Sequence, residues 1–180
     1  MESKKIIFIP GWMHTVKFYG DYDGLEIWNQ DFDSNVAVTA DCIVAYSIGT
    51  NFAMLNWQKD SGKKLILVNP LIAKRNPFGW FWCWIKYYFS EGNIPDKNIN
   101  KIKIFSGLIR AYRILKNDFT EIIKNIPNEN LIIIRGRGDN YFCPMSGVPF
   151  LMEQCSQLVE VENAGHNWND ELKREVDKLI

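Results

Sequence analysis

Asp41-Cys-Ile-Val-Ala-Tyr-Ser-Ile-Gly-Thr-Asn-Phe-Ala-Met-Leu55 decides how the rest of the chain is read. Residues 42–46 are apolar without a break, which suits a strand covered on both faces. Phe52, Ala53 and Leu55 then suit a helix over residues 49–58. Between the two stands Ala45-Tyr46-Ser47-Ile48-Gly49. In a strand-to-helix elbow of this kind, the serine occupies a tight turn that pushes its hydroxyl clear of the backbone. The flanking positions must be small, because strand and helix approach closely there, and Ala45 and Gly49 meet that demand. A helix beginning just after Ser47 also aims N–H groups and a positive dipole end at whatever the hydroxyl attacks. The competing reading is a serine that merely caps a helix, and these residues alone leave both open.

The remaining chain supplies the context. Residues 4–9 (Lys-Lys-Ile-Ile-Phe-Ile) form a strand candidate, apolar from Ile6 onward and closed by Pro10-Gly11, with the loop Gly11-Trp12-Met13-His14 at its carboxyl end. Residues 25–28 form a weaker strand candidate. Residues 64–68, 131–134 and 158–161 are further apolar runs, ended by Asn69-Pro70, by Arg135-Gly-Arg-Gly-Asp139 and by Asn163-Ala-Gly-His166. From Trp168 onward Leu172, Val176 and Leu179 recur at helical spacing. Short buried strands alternating with helices imply an α/β fold. The expected architecture is a mostly parallel sheet of about five to six strands with helices on both faces. Ligands of such sheets bind beyond the carboxyl ends of the strands. Ser47, Asp139, His166 and the Gly11-Trp12 loop all fall just past an expected strand.

Residues 71–128 separate two strands by more than one crossover requires. Within a single domain over residues 1–180, they read as an inserted helical cap. The cap opens with Phe78, Trp80, Phe81, Trp82, Trp84, Tyr87, Tyr88 and Phe89. These aromatics read either as packing of the cap on the sheet or as an apolar lid. As a lid, Trp80 and Trp84 would shape a pocket for an acyl or aromatic group.

Composition narrows the function. The 180 residues suffice for one domain with a full core. Lys plus Arg and Asp plus Glu are both 21, which argues against a nucleic-acid binder built on a basic face. The start of the chain does not resemble a signal peptide. The four cysteines Cys42, Cys83, Cys143 and Cys155 are scattered, as free thiols in a reducing compartment would be, so the cytoplasm is the expected location. Residues 77–89 are strongly apolar, but they are too short and carry Lys86, so no membrane span is expected; a span needs about 20 apolar residues. Two separated histidines and unpaired cysteines give no zinc spacing, and no dinucleotide or phosphate-loop motif is complete, so neither metal nor cofactor is expected.

Taken together, the Gly11-Trp12 loop, the Ala45-to-Gly49 elbow, the Gly138-Asp139 loop and Gly165-His166 resemble a small α/β-hydrolase. The order Ser, Asp, His is the order that family uses. Ala45 stands where the family elbow has glycine, Pro10-Gly11-Trp12 replaces a common His-Gly, and the two antiparallel strands that open the full family sheet are expected to be missing. The resemblance implies the oxyanion donors, the backbone N–H groups of Trp12 and Ile48. The expected partner is a small-molecule acyl ester or acyl-carrier substrate; the Gly-Trp pair is similar to that of carboxylesterases that cleave the methyl ester of a pimeloyl carrier conjugate, but two residues do not carry that substrate across.

A serine hydroxyl needs a neighbouring base, and imidazole titrates near neutrality. His166 is the favoured base, with His14 as the competitor that could instead line the pocket. Asp139 is favoured as the acid that orients it, over Asp118 and Asp170 in helical surroundings. The expected activity is a serine hydrolase of carboxylesterase type, cleaving an ester or thioester with an apolar acyl group through an acyl-enzyme on Ser47. The alternatives are a non-catalytic binding protein of the same fold and an acyltransferase using the same three residues.

Overall fold

A computed structural model describes residues 5–27, 40–57, 62–71, 76–92, 96–99 and 104–180. Five strands form one sheet: β1 (Ile6–Ile9), β2 (Cys42–Tyr46), β3 (Lys64–Val68), β4 (Leu131–Gly136) and β5 (Gln157–Val161). They lie in that order and every pair is parallel. Among the described residues six α-helices accompany them: α1 (Ile48–Leu55), α2 (Pro77–Ser90), α3 (Ile104–Leu115), α4 (Phe119–Ile123), α5 (Val148–Gln154) and α6 (Asp170–Asp177). None among the described residues is long and apolar enough to cross a membrane.

Strand periodicity divides the core in two. Ile7, Ile9, Ile43, Leu65, Leu131 and Ile133 face a cluster containing Phe52 and Met54 of α1, Ile123 of α4 and Leu151 of α5. Phe8, Val44, Ile66, Val68, Ile132 and Ile134 face the opposite cluster with Leu172 and Val176 of α6. Both faces of the central strands are therefore covered, which is why those strands are apolar throughout.

Several boundaries differ from expectation. The candidate strand at 25–28 is reduced to an isolated bridge at Gly24, where the Phe8 N–H donates to the Asp23 carbonyl and Leu25 N–H to the Phe8 carbonyl. Trp28 lies outside the described residues, as does Gln58, and α1 ends at Leu55 with the Asn56 side chain bonded back to the Phe52 carbonyl. β4 runs two residues past its aliphatic stretch, because Arg135 sits opposite Glu160 on β5 and pairs with it. The last helix starts at Asp170 rather than Trp168, set by Asn169, whose side chain accepts from the Leu172 N–H.

Between β3 and β4 the chain forms α2, α3 and α4. The first two line a cavity above the carboxyl edge of the sheet, and α4 returns to the core beside α1.

Candidate active site

The turn at Ser47 is forced. Its backbone takes φ 52° and ψ −125°, a region that a residue with a Cβ occupies at a cost of about 1–3 kcal/mol. Three contacts hold it there. Its N–H donates to the Val68 carbonyl at 2.9 Å, and its carbonyl accepts the Thr50 hydroxyl at 2.6 Å. Gly49 lets α1 approach β1 so closely that a Cβ would fall 2.5 Å from the carbonyl oxygens of Ile9 and Pro10. Although Ser47 precedes the helix, its hydroxyl makes no capping hydrogen bond. Instead Ser47 Oγ lies 2.9 Å from His166 Nε2, and His166 Nδ1 lies 2.6 Å from Asp139 Oδ2. With the Nδ1–H donating to the Asp139 carboxylate, Nε2 is left unprotonated and can accept the serine proton.

Asp139 is fully buried at the end of β4. Its second oxygen accepts the N–H groups of Phe142 at 2.9 Å and Tyr141 at 3.2 Å. Burial raises its pKa most strongly, but His166 and the amides of Phe142 and Cys143 outweigh that and hold the carboxyl below the usual carboxylate range.

The other expected residues are placed as follows. Trp12, His14, Ile48, Trp80 and Trp84 all line the same cavity as Ser47 and His166, about 570 Å³ in volume. Trp12 follows Gly11, whose backbone lies against the Tyr46 ring. Ile48 is the first residue of α1, where an N–H has no partner in the helical ladder. His14 is held away from the base position: its Nδ1 lies 3.0 Å from the Tyr19 hydroxyl, and its ring stacks on Phe18. Asp118 caps α4 through the Thr120 N–H, and Asp170 is exposed on the first turn of α6.

Neither a family model nor a curated protein matches this sequence. Solved structures do. An α/β-hydrolase from a Medee basin deep-sea metagenome library is 16% identical, with TM-score 0.63 over 99% of this chain and 88% of its own. A putative non-heme bromoperoxidase from Mycobacterium tuberculosis H37Rv is 12% identical, with TM-score 0.60 over 98% and 90%. A Pyrococcus furiosus esterase is 13% identical, with TM-score 0.58 over 97% and 80%. The chain has the α/β-hydrolase fold.

Within this α/β-hydrolase fold, four polar residues that motif reading passed over fix the loops of the site. Asn69, at φ 46°, donates to the carbonyls of Gly165 and His166 and accepts the Gly136 N–H, tying β3, β4 and the histidine loop together. The Tyr46 hydroxyl also donates to the His166 carbonyl. Glu91, just after α2, accepts the His166 N–H at 2.9 Å. Arg135, fully buried, donates to the Cys143 carbonyl at 2.6 Å and to Glu160 at 2.7 Å, and reaches the Asp139 carbonyl at 3.5 Å. The Arg-Gly-Arg-Gly-Asp run that ends the apolar stretch was the one signal for Arg135.

Removing this guanidinium strands the buried Cys143 carbonyl and unpairs Glu160, which is itself exposed on β5. Arg135→Ala is expected to cost about 1–3 kcal/mol of stability, the range for a buried polar group left unpaired, read as a lower urea midpoint. An unchanged midpoint would show that the acid loop is held by other contacts.

Proposed function

We propose that the protein is a serine hydrolase of carboxylesterase type, acting on an ester or thioester with an apolar acyl group. The observation that carries this reading is the continuous hydrogen-bonded line from Ser47 through His166 to Asp139, with the serine hydroxyl released from capping. Ser47 Oγ attacks the acyl carbon while His166 Nε2 takes its proton, and Asp139 stabilises the imidazolium. The oxyanion is received by the N–H groups of Trp12 and Ile48, each such donor supplying about 3 kcal/mol of transition-state stabilisation. His166 then protonates the leaving oxygen or sulfur, and water, deprotonated by the same imidazole, releases the acid.

Residues 71–128 act as the cap of the single domain. Trp80 and Trp84 supply apolar walls for the acyl group, and His14 is a polar point on the lining. A cavity of about 570 Å³ falls within the usual range for small-molecule sites. The described cysteines are all free thiols, in keeping with a reducing compartment such as the cytoplasm. A fluorophosphonate probe tests the assignment: labelling of the wild type and none of Ser47→Ala is expected. Equal labelling of both proteins would remove Ser47 from the nucleophile's role.

A further inference from the structure

Helix α2 is apolar around nearly its whole circumference. Trp80, Trp84 and Tyr87 turn to the cavity. On the opposite side Phe78, Trp82, Ile85 and Phe89 follow one another at i, i+4, i+7 and i+11. Phe78 is 74% exposed and Phe89 84%. A helix apolar all round is ordinarily buried, yet this one presents a stripe of aromatic rings to solvent. The stripe adjoins the cavity mouth, since Phe81, Leu108 and Tyr112 are both exposed and part of the cavity lining.

Charge is also segregated there. The whole chain balances 21 basic against 21 acidic side chains. Yet α2, α3 and the following Lys116 carry Lys86, Arg110, Arg113 and Lys116 with no Asp or Glu. Arg110 turns back to the Ile27 carbonyl, whereas Lys86, Arg113 and Lys116 are exposed. Lys86 lies 5.9 Å from the Trp82 ring centre and Lys116 4.5 Å from that of Tyr112. Glu91, the acid that follows α2, is turned onto the backbone of His166 and Asn167.

We propose that the outer face of α2, with the rim of α3, docks onto the surface of a bilayer containing anionic lipid. Tryptophan and tyrosine rings favour the headgroup level, where their apolar bodies and polar edges are both accommodated. Phenylalanines beside them enter the acyl boundary, and the lysines meet lipid phosphates. A second copy of the chain fits the face less well, because a symmetric contact would set its cations against themselves. Docking brings the cavity mouth to the lipid surface, and it does not depend on turnover.

Co-sedimentation with vesicles of phosphatidylcholine, alone or mixed with phosphatidylglycerol, tests the surface. The wild type and Ser47→Ala are expected to bind the mixed vesicles alike, and binding should weaken with salt. Phe78→Ser/Trp82→Ser/Phe89→Ser is expected to bind at least about tenfold more weakly, with unchanged thermal unfolding because these rings lie outside the core. Lys86→Gln/Lys116→Gln should lose about fivefold per cation on mixed vesicles and nothing on phosphatidylcholine. Absence of wild-type binding, or binding that neither variant weakens, would overturn the proposal. So would a dimer in analytical ultracentrifugation that the triple variant abolishes, with no vesicle association: the face would then be a contact between copies. Vesicle binding without probe labelling would sink the hydrolase reading and leave the docking surface standing.

Discussion

Ser47→Ala is expected to lower kcat for a p-nitrophenyl ester by about 10⁵-fold or more. The substitution removes Oγ and nothing else of consequence. The strained backbone at φ 52° is kept by its hydrogen bond to Val68 and by the close approach at Gly49, neither of which uses the side chain. The hydroxyl does not cap α1, so no helix end loses a partner. Stability should change by less than about 1 kcal/mol, and KM should stay close to the wild-type value. A loss of less than tenfold, in folded protein, would mean that the nucleophile is elsewhere.

Asp139→Asn should have the next largest effect, about 10⁴-fold in kcat. The asparagine amide can turn its NH₂ toward His166 Nδ1, favouring the tautomer with the proton on Nε2. The Ser47 proton, 2.9 Å away, then has no acceptor. Stability should respond with a defined sign. The carboxyl of Asp139 titrates below its ordinary value in the folded chain, despite its burial, because His166 and nearby amides favour the anion. Its contribution is therefore complete above the unfolded value of about 3.9 and disappears as pH falls through the lower folded value. Wild type and Asp139→Asn should differ in urea midpoint at about neutral pH and converge in acid. Parallel midpoints across that range would show that the carboxylate is not stabilised in the fold.

Sequence and structure agree where a stretch's own chemistry decides its conformation. β2 and β3 are apolar at nearly every position, and their limits match residue for residue. The elbow was legible only in company: its own residues suit a capping serine equally well, and what favoured it was that Ser47, Asp139 and His166 each fall just past an expected strand. The pairings that need distant partners were not legible. Leu25 and Ile27 are buried like strand residues, yet only Gly24 bridges to β1. Arg135 ended an apolar run in the sequence and extends a ladder in the fold, because Glu160 lies opposite it. Asn69 and Glu91 look like loop residues; their weight comes from amides and carbonyls in the histidine loop, some 75 to 97 positions along the chain.

The joint between α2 and the histidine loop carries a mechanical corollary. Glu91 grips the amides of His166 and Asn167, Asn167 returns bonds to the carbonyls of Glu91 and Gly92, and Tyr87 donates to Asn167. A Cβ at position 165 would fall 2.6 Å from the Glu91 carboxylate, so that carboxylate sits directly against the histidine loop. The last turn of this aromatic helix therefore behaves as a fixed pivot: swinging it aside would drag His166 away from Ser47. At the other end, near Asn76, the helix carries its own cap and Trp80 packs against Phe142, so room for a bulky guest made there leaves the Glu91 joint in place.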